Sequence, residues 1–96
     1  MLDLAKVKNI LAALKPELIS KYYVSSIGLF GSVVRNDFTA DSDIDIVVTF
    51  NRPVGMEFID LANELEEKLE RKVDLVSKNG IKEKYYQIIE PEIIYV

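Results

Sequence analysis

Asp43 and Asp45 stand one residue apart at the head of an apolar run that continues to Phe50. In a strand, residues i and i+2 project from the same face, so these carboxylates would stand side by side with Cα atoms roughly 6.5–7 Å apart. Carboxylates that close repel each other unless a proton or a cation sits between them. A divalent metal is the natural partner, because hard cations take oxygen ligands. Upstream, Gly31-Ser32 follows an apolar, strand-like run from Ser25 to Phe30. A glycine there lets the backbone approach a ligand, the amides that follow point outward where a helix starts, and the serine hydroxyl adds a donor. Together they suit a polyphosphate. Downstream, Asp74 lies in a third short run, Lys72 to Val76.

Each feature has a plainer reading. Gly31-Ser32 could be an ordinary strand-to-helix turn, one aspartate of the pair could accept backbone amides in a capped turn, and Asp74 could be an exposed strand acid. The combination changes the balance. A phosphate-type turn ending one strand, two aspartates opening the next and a third on a later strand could converge at one sheet edge. Three carboxylates there could hold two Mg²⁺ ions, about 3.5–4 Å apart, and support in-line displacement on phosphorus. In that scheme Asp43 and Asp45 bind metal, and Asp74 binds metal and helps deprotonate an acceptor hydroxyl.

The elements that must position these groups are legible from periodicity. Leu4, Val7, Ile10, Leu11 and Leu14 recur at helical spacing behind Asp3 as N-cap, and Pro16 is expected to close that helix and open a short second one to Tyr22 or Tyr23. From Asp43 to Phe50, alternation puts Asp43, Asp45, Val47 and Thr49 on one face. Ile44, Ile46, Val48 and Phe50 form the other, which should lie against helices. Asn51 to Gly55 is a turn. A helix from Met56 to Arg71 is expected to bury Phe58, Ile59, Ala62, Leu65 and Leu69, with Glu64, Glu67, Lys68 and Arg71 on a solvated face as i,i+4 pairs. Asn79-Gly80 breaks the chain, Ile81 to Ile89 reads as a helix that Pro91 ends, and Ile93 to Val96 as a last strand. The fold class that follows is α/β (α+β): a small mixed β-sheet covered by helices, in one domain spanning residues 1–96.

Composition narrows the function. The 96 residues include no cysteine and no histidine, which excludes disulfide frameworks, Cys/His zinc sites and any histidine-dependent triad. The net charge of −4 and the scattered lysines argue against long nucleic acid as the main partner. Neither a membrane-spanning run nor a signal-peptide pattern is present in the sequence, and a cytoplasmic location is the default expectation.

Gly31-Ser32, then Arg35, then Ser42-Asp43-Ile44-Asp45 resembles the signature of the nucleotidyltransferase superfamily that includes polymerase beta. In its shortest form the chain is similar to the minimal nucleotidyltransferases of bacteria and archaea, the MNT or MntA-type antitoxins, over nearly its whole length. The resemblance implies a nucleotidyltransferase-like fold and transfer of a nucleoside monophosphate from an NTP, with two Mg²⁺ ions and release of pyrophosphate. Carried over by position, Gly31 and Ser32 contact the triphosphate, and Asp43, Asp45 and Asp74 form the metal triad. Arg35 either approaches phosphate or ties the linker to the sheet edge, and Ser42, grouped with the nucleotide-binding residues, braces the aspartate turn. Asn36 departs from the family's usual glycine, although asparagine tolerates a left-handed backbone.

A chain this short has little surface with which to enclose an acceptor, which is therefore expected on another chain. The resemblance implies a HEPN-domain toxin, a helical RNase-type protein, with AMP from ATP added to a tyrosine hydroxyl. Two alternatives stand beside it: a non-catalytic antitoxin that neutralises a HEPN partner by contact, and a small-molecule nucleotidyltransferase of the antibiotic-modifying kind. The apolar C-terminal segment with Tyr85, Tyr86, Ile88, Ile89, Ile93, Ile94 and Tyr95 is a candidate surface for homo- or hetero-oligomers, with core packing the expected use of at least half of it.

Overall fold

The computed structural model describes residues 2–35 and 37–96. Helix α1 spans Leu4–Tyr22, and Asp3 caps it as expected, its Oδ1 accepting the Lys6 N–H at 2.9 Å. The expected break at Pro16 does not occur, since Pro16 lies inside one continuous helix. Proline removes one N–H, but the buried stripe Val7, Leu11, Leu18 and Tyr22 runs through it, so packing on both sides of the proline carries the helix on. The helix ends on Tyr23 in the left-handed region (φ 59°) without a glycine. The Tyr23 carbonyl accepts the Asn51 N–H at 2.9 Å, and the Arg52 guanidinium lies 4.0 Å from the centre of its ring.

Strands β1 (Val24–Phe30), β2 (Ile44–Phe50), β3 (Val73–Ser77) and β4 (Ile94–Tyr95) form one mixed sheet in the order β3-β2-β1-β4. β1 is antiparallel to β2 and β4, while β2 and β3 are parallel and joined by helix α3 (Met56–Leu69). The alternation read from β2 holds. Ile44, Ile46 and Val48 join Ile27 and Leu29 in the main core beneath α1 and α3, and Val47 faces the other side with Phe30 and Ile89. That second face is covered only in part, by helix α4 (Glu83–Ile89) and the 3-10 turn Glu90–Glu92 in which Pro91 sits. The mouth of β2 and β3 is left open.

α3 departs from expectation in two ways. It buries Leu61, Leu65 and Leu69, whereas Ile59 is 51% exposed and Phe58 packs edge-on against Phe50 at the helix start. Its charged side is a solvated face only in part, with Glu67 and Lys68 exposed as expected. Glu64 turns in to α1, where it accepts from Lys21 Nζ at 2.8 Å and the Tyr22 hydroxyl at 2.7 Å. Arg71, beyond the helix end, donates to the carbonyls of Thr39 and Ser42. Periodicity finds an amphipathic helix but reads its azimuth only to within about one residue step of 100°. Of the C-terminal apolar residues, Tyr86, Ile89, Ile93 and Ile94 are wholly or partly buried, and Tyr85, Ile88 and Tyr95 are exposed. Among the described residues no helix is long and apolar enough to cross a membrane.

Candidate active site

The end of β1 and the starts of β2 and β3 meet at one edge of the sheet. Phe30 is the register partner of Asp45, and Asp45 that of Asp74 on the parallel neighbour. In-register residues of adjacent strands share a face at about 4.8 Å, so the chain brings Asp45 and Asp74 together although 29 positions separate them. Asp43 lies exposed just before β2, on the same flank. Partial burial, and then the charges of Asp74 and Asp43, push the Asp45 carboxyl up to about 6, against a smaller opposing pull from Arg35.

Gly31 adopts φ 78°, a left-handed conformation that favours glycine. A second constraint acts on the same position, because a methyl group added to Gly31 would fall on the Asp45 carboxylate. The Gly31 carbonyl accepts the N–H groups of Val34 at 3.0 Å and Arg35 at 3.1 Å, which closes the single-turn helix α2, Ser32–Arg35. Ser32 and the first amides of α2 follow directly on Gly31, and N–H groups at a helix start need an outside acceptor.

The aspartate turn is braced as expected of Ser42. Its Oγ accepts the Thr39 N–H at 3.0 Å, and Arg71 clamps the same turn from outside, donating at 2.8 Å to the Thr39 carbonyl and at 2.6 Å to that of Ser42. The Arg71 guanidinium also lies 4.5 Å from the centre of the Phe38 ring. Arg35 pairs with acids on either side of the turn. Its Nη1 lies 3.2 Å from both carboxylate oxygens of Glu92, and its Nε 3.8 Å from Asp37. Asn36 lies outside the described residues.

Two residues at this site escape a reading of the sequence, Glu92 and Arg71. Neither sits in a motif, and their only signal is a charge beside apolar segments near a chain break. A cavity of about 260 Å³ opens between Gly31, Arg35, Asp45 and Glu92 on one side and Tyr85 and Ile88 of α4 on the other. A larger hollow of about 610 Å³, lined by Phe58, Val76, Ile81 and Tyr85, adjoins it through Tyr85 but carries no carboxylate. Chemistry marks the smaller one as the site.

The donor set fits a hard divalent cation. It is all carboxylate oxygen, and the repulsion that raises Asp45 is what a bound cation would relieve. Among the described residues no three acids already converge as ligands around one point. The three carboxylates share an edge, and an ion would have to draw them together.

The family model of the nucleotidyltransferase domain matches residues 11–96. The chain belongs to the nucleotidyltransferase family. The family uses an NTP as substrate and a divalent metal. Protein adenylyltransferase MntA of Thermococcus cleftensis is 41% identical over 97 residues, with 100% of this chain and 98% of that one covered. A solved structure described provisionally as a minimal nucleotidyltransferase superposes with a TM-score of 0.83 at 28% identity, over 97% of this chain and 95% of the other. A chain of the complex between a tri-AMPylated Shewanella oneidensis HEPN toxin and an MNT antitoxin superposes with a TM-score of 0.71 at 25% identity, over 96% and 70%. In this nucleotidyltransferase, Gly31-Ser32 and the three aspartates lie near the edge where β1, β2 and β3 meet.

Proposed function

We propose that this nucleotidyltransferase, a single minimal domain, is a Mg²⁺-dependent protein adenylyltransferase that moves AMP from ATP to a tyrosine hydroxyl of a HEPN-domain toxin, and so acts as its antitoxin. The observation that carries the reading is the pairing of Asp45 with Asp74 beside the left-handed turn at Gly31, in a chain similar throughout to an MntA adenylyltransferase. It is supported by the likeness to an antitoxin solved with an AMPylated HEPN toxin.

In this reading Ser32 and the first amides of α2 receive the triphosphate, and Gly31, without a side chain, lets it approach. Asp43, Asp45 and Asp74 hold two Mg²⁺ ions, which when bound neutralise phosphate charge and favour in-line displacement. Asp74, exposed like Asp43, takes the proton from the acceptor hydroxyl as its oxygen attacks the α-phosphorus and pyrophosphate leaves. Ser42 and Arg71 keep the aspartate turn in shape without touching nucleotide. The reading carries a cytoplasmic location with it, as a toxin that cleaves RNA is neutralised where RNA is.

The test is direct. The chain is incubated with ATP, Mg²⁺ and a HEPN partner, and the partner is weighed by intact mass spectrometry. The expected result is a gain in steps of one AMP that disappears with Asp43→Asn/Asp45→Asn. Neutralisation that persists in the double variant with no mass gain would replace the enzyme by an antitoxin acting through contact.

A further inference from the structure

Glu92 has no part in the chemistry just described, yet its carboxylate accepts from two residues of the site. It comes from the 3-10 turn near the C-terminus and reaches back across the sheet edge. Its Oε1 accepts the Gly31 N–H at 2.9 Å, over a separation of 61 residues. The same carboxylate takes Arg35 Nη1 at 3.2 Å from each oxygen, and it is only 26% exposed where Arg35 is 54%. Gly31 and Arg35 are the residue before α2 and its last residue, so one side chain holds both ends of that helical turn.

Two physical consequences follow. A single helical turn has almost no stability of its own, because nucleation costs more than one hydrogen bond returns. α2 therefore needs an outside anchor, and the left-handed Gly31 needs its N–H direction set. Glu92 supplies both. The second consequence concerns charge. Arg35 lines the same cavity as Asp45, and without a carboxylate partner on its far side it would turn to the nearest acids. Asp37 alone, at 3.8 Å from Nε and well exposed, is a weak competitor for it.

We propose that Glu92 is a positioning residue of the nucleotide site: by holding the Gly31 N–H and Arg35 together it fixes the Gly-Ser turn for a triphosphate and keeps the guanidinium off Asp45, which stays free for a cation. The inference rests on the functional reading above. It gives the C-terminal turn a role in the site that its distance in sequence conceals, and it makes Arg35 a tethered cation instead of a free phosphate clamp.

The experiment measures Mg-ATP binding by calorimetry with no acceptor present, alongside the amide shift of Gly31 in a ¹⁵N-labelled chain. Glu92→Ala is expected to weaken Mg-ATP by at least about tenfold, the usual scale for losing a group that orients a binding residue. It should also move the Gly31 amide proton upfield as the charged acceptor is lost. Glu92→Gln keeps an acceptor oxygen for Gly31 but lacks the charge for Arg35, and is expected to hold most of the amide shift while weakening Mg-ATP about threefold. Glu92→Ala/Arg35→Ala should recover part of the binding lost in Glu92→Ala, because no guanidinium remains to occupy the acids. Should Glu92→Ala fail to fold by circular dichroism, Glu92→Gln decides alone.

Unchanged or tighter Mg-ATP binding in the Glu92 variants overturns the proposal, since the carboxylate would then be indifferent to the triphosphate or a competitor for its place. A wild-type chain that binds no Mg-ATP refutes the functional reading beneath it. A wild type that binds, with variants that do not differ, refutes this inference alone.

Discussion

Two partly buried carboxylates of this molecule have opposite environments. Glu64 of α3 faces Lys21 and Tyr22 of α1, and the hydrogen bonds from Lys21 and Tyr22 hold its pKa below the usual range. Asp45 faces burial and two further aspartates, and is pushed up to about 6. The first arrangement joins two helices through Oε1, which takes both a cation and a hydroxyl, while Oε2 is buried without a hydrogen bond among the described residues. The second is incomplete, since like charges are gathered at an edge and Arg35 opposes them only weakly. A fold that gives one carboxylate a cation and a hydroxyl and surrounds another with like charges marks the second as the place for a ligand.

The largest expected effect breaks the frustrated site. Asp45→Asn should lower AMP transfer by about 10³-fold or more, the scale on which removal of charge-stabilising groups from phosphoryl and acyl transfer sites acts. Initial rates with the HEPN partner measure it. Glu64→Gln in the same assay should leave the rate within about twofold, because Glu64 holds helices together and no reacting group depends on its charge.

Gly31→Ala comes next and strikes both geometry and fold. The left-handed backbone together with the clash on Asp45 should cost about 1–3 kcal/mol in denaturant unfolding and abolish Mg-ATP binding. Gly55→Ala, where an added methyl meets only Glu57 Oε1 at the edge of contact, should leave nucleotide binding intact.

Glu64→Ala sharpens the comparison from the other side. It strands the Tyr22 hydroxyl and should cost about 1–2 kcal/mol, or roughly 4–16 °C in Tm for a domain of this size, with nucleotide affinity unchanged. Its pH dependence is opposite in sign to that of Asp45. With a folded pKa below its unfolded one, Glu64 stabilises the fold above the unfolded value of 4.5, and that contribution is lost as pH falls through its folded pKa.

The smallest effect belongs to Asp45 itself. A folded pKa of about 6 against 3.8 means that the folded chain holds the proton more tightly, so the contribution of Asp45 to metal-free stability is full below pH 3.8 and is lost as pH rises through 6. Because Asp45 is partly solvated, the decline should amount to only about 1 kcal/mol. Thermal melts in EDTA between pH 4 and 7.5 should therefore show a falling Tm in wild type and a flatter profile in Asp45→Asn. Mg²⁺ at pH 7.5 should raise the Tm of wild type alone.

Local signals in the sequence located most of the elements. Asp3 as an N-cap, alternation through β2 and the Asn79-Gly80 break each depend on a residue's own chemistry and its near neighbours, and each is found where expected. The failures are long-range. Pro16 reads as a breaker until Leu18 and Tyr22 are seen to pack with Leu11, and packing then outweighs one missing hydrogen bond. The charged side of α3 reads as solvated because nothing near Glu64 in sequence announces Lys21 and Tyr22.

By itself the sequence determined the chemical character of the site. Gly31-Ser32 and the spaced pair Asp43 and Asp45 carry phosphate and cation chemistry whatever surrounds them, because residue type and the two-residue repeat of a strand suffice to state it. Tertiary structure alone decided the rest. Parallel pairing made Asp74 the neighbour of Asp45, a clash with that carboxylate made Gly31 obligatory, and a turn 61 residues away supplied the one side chain that holds both ends of α2. Register and return of the chain are set by which apolar faces bury one another across the whole sheet, and no short segment contains that information.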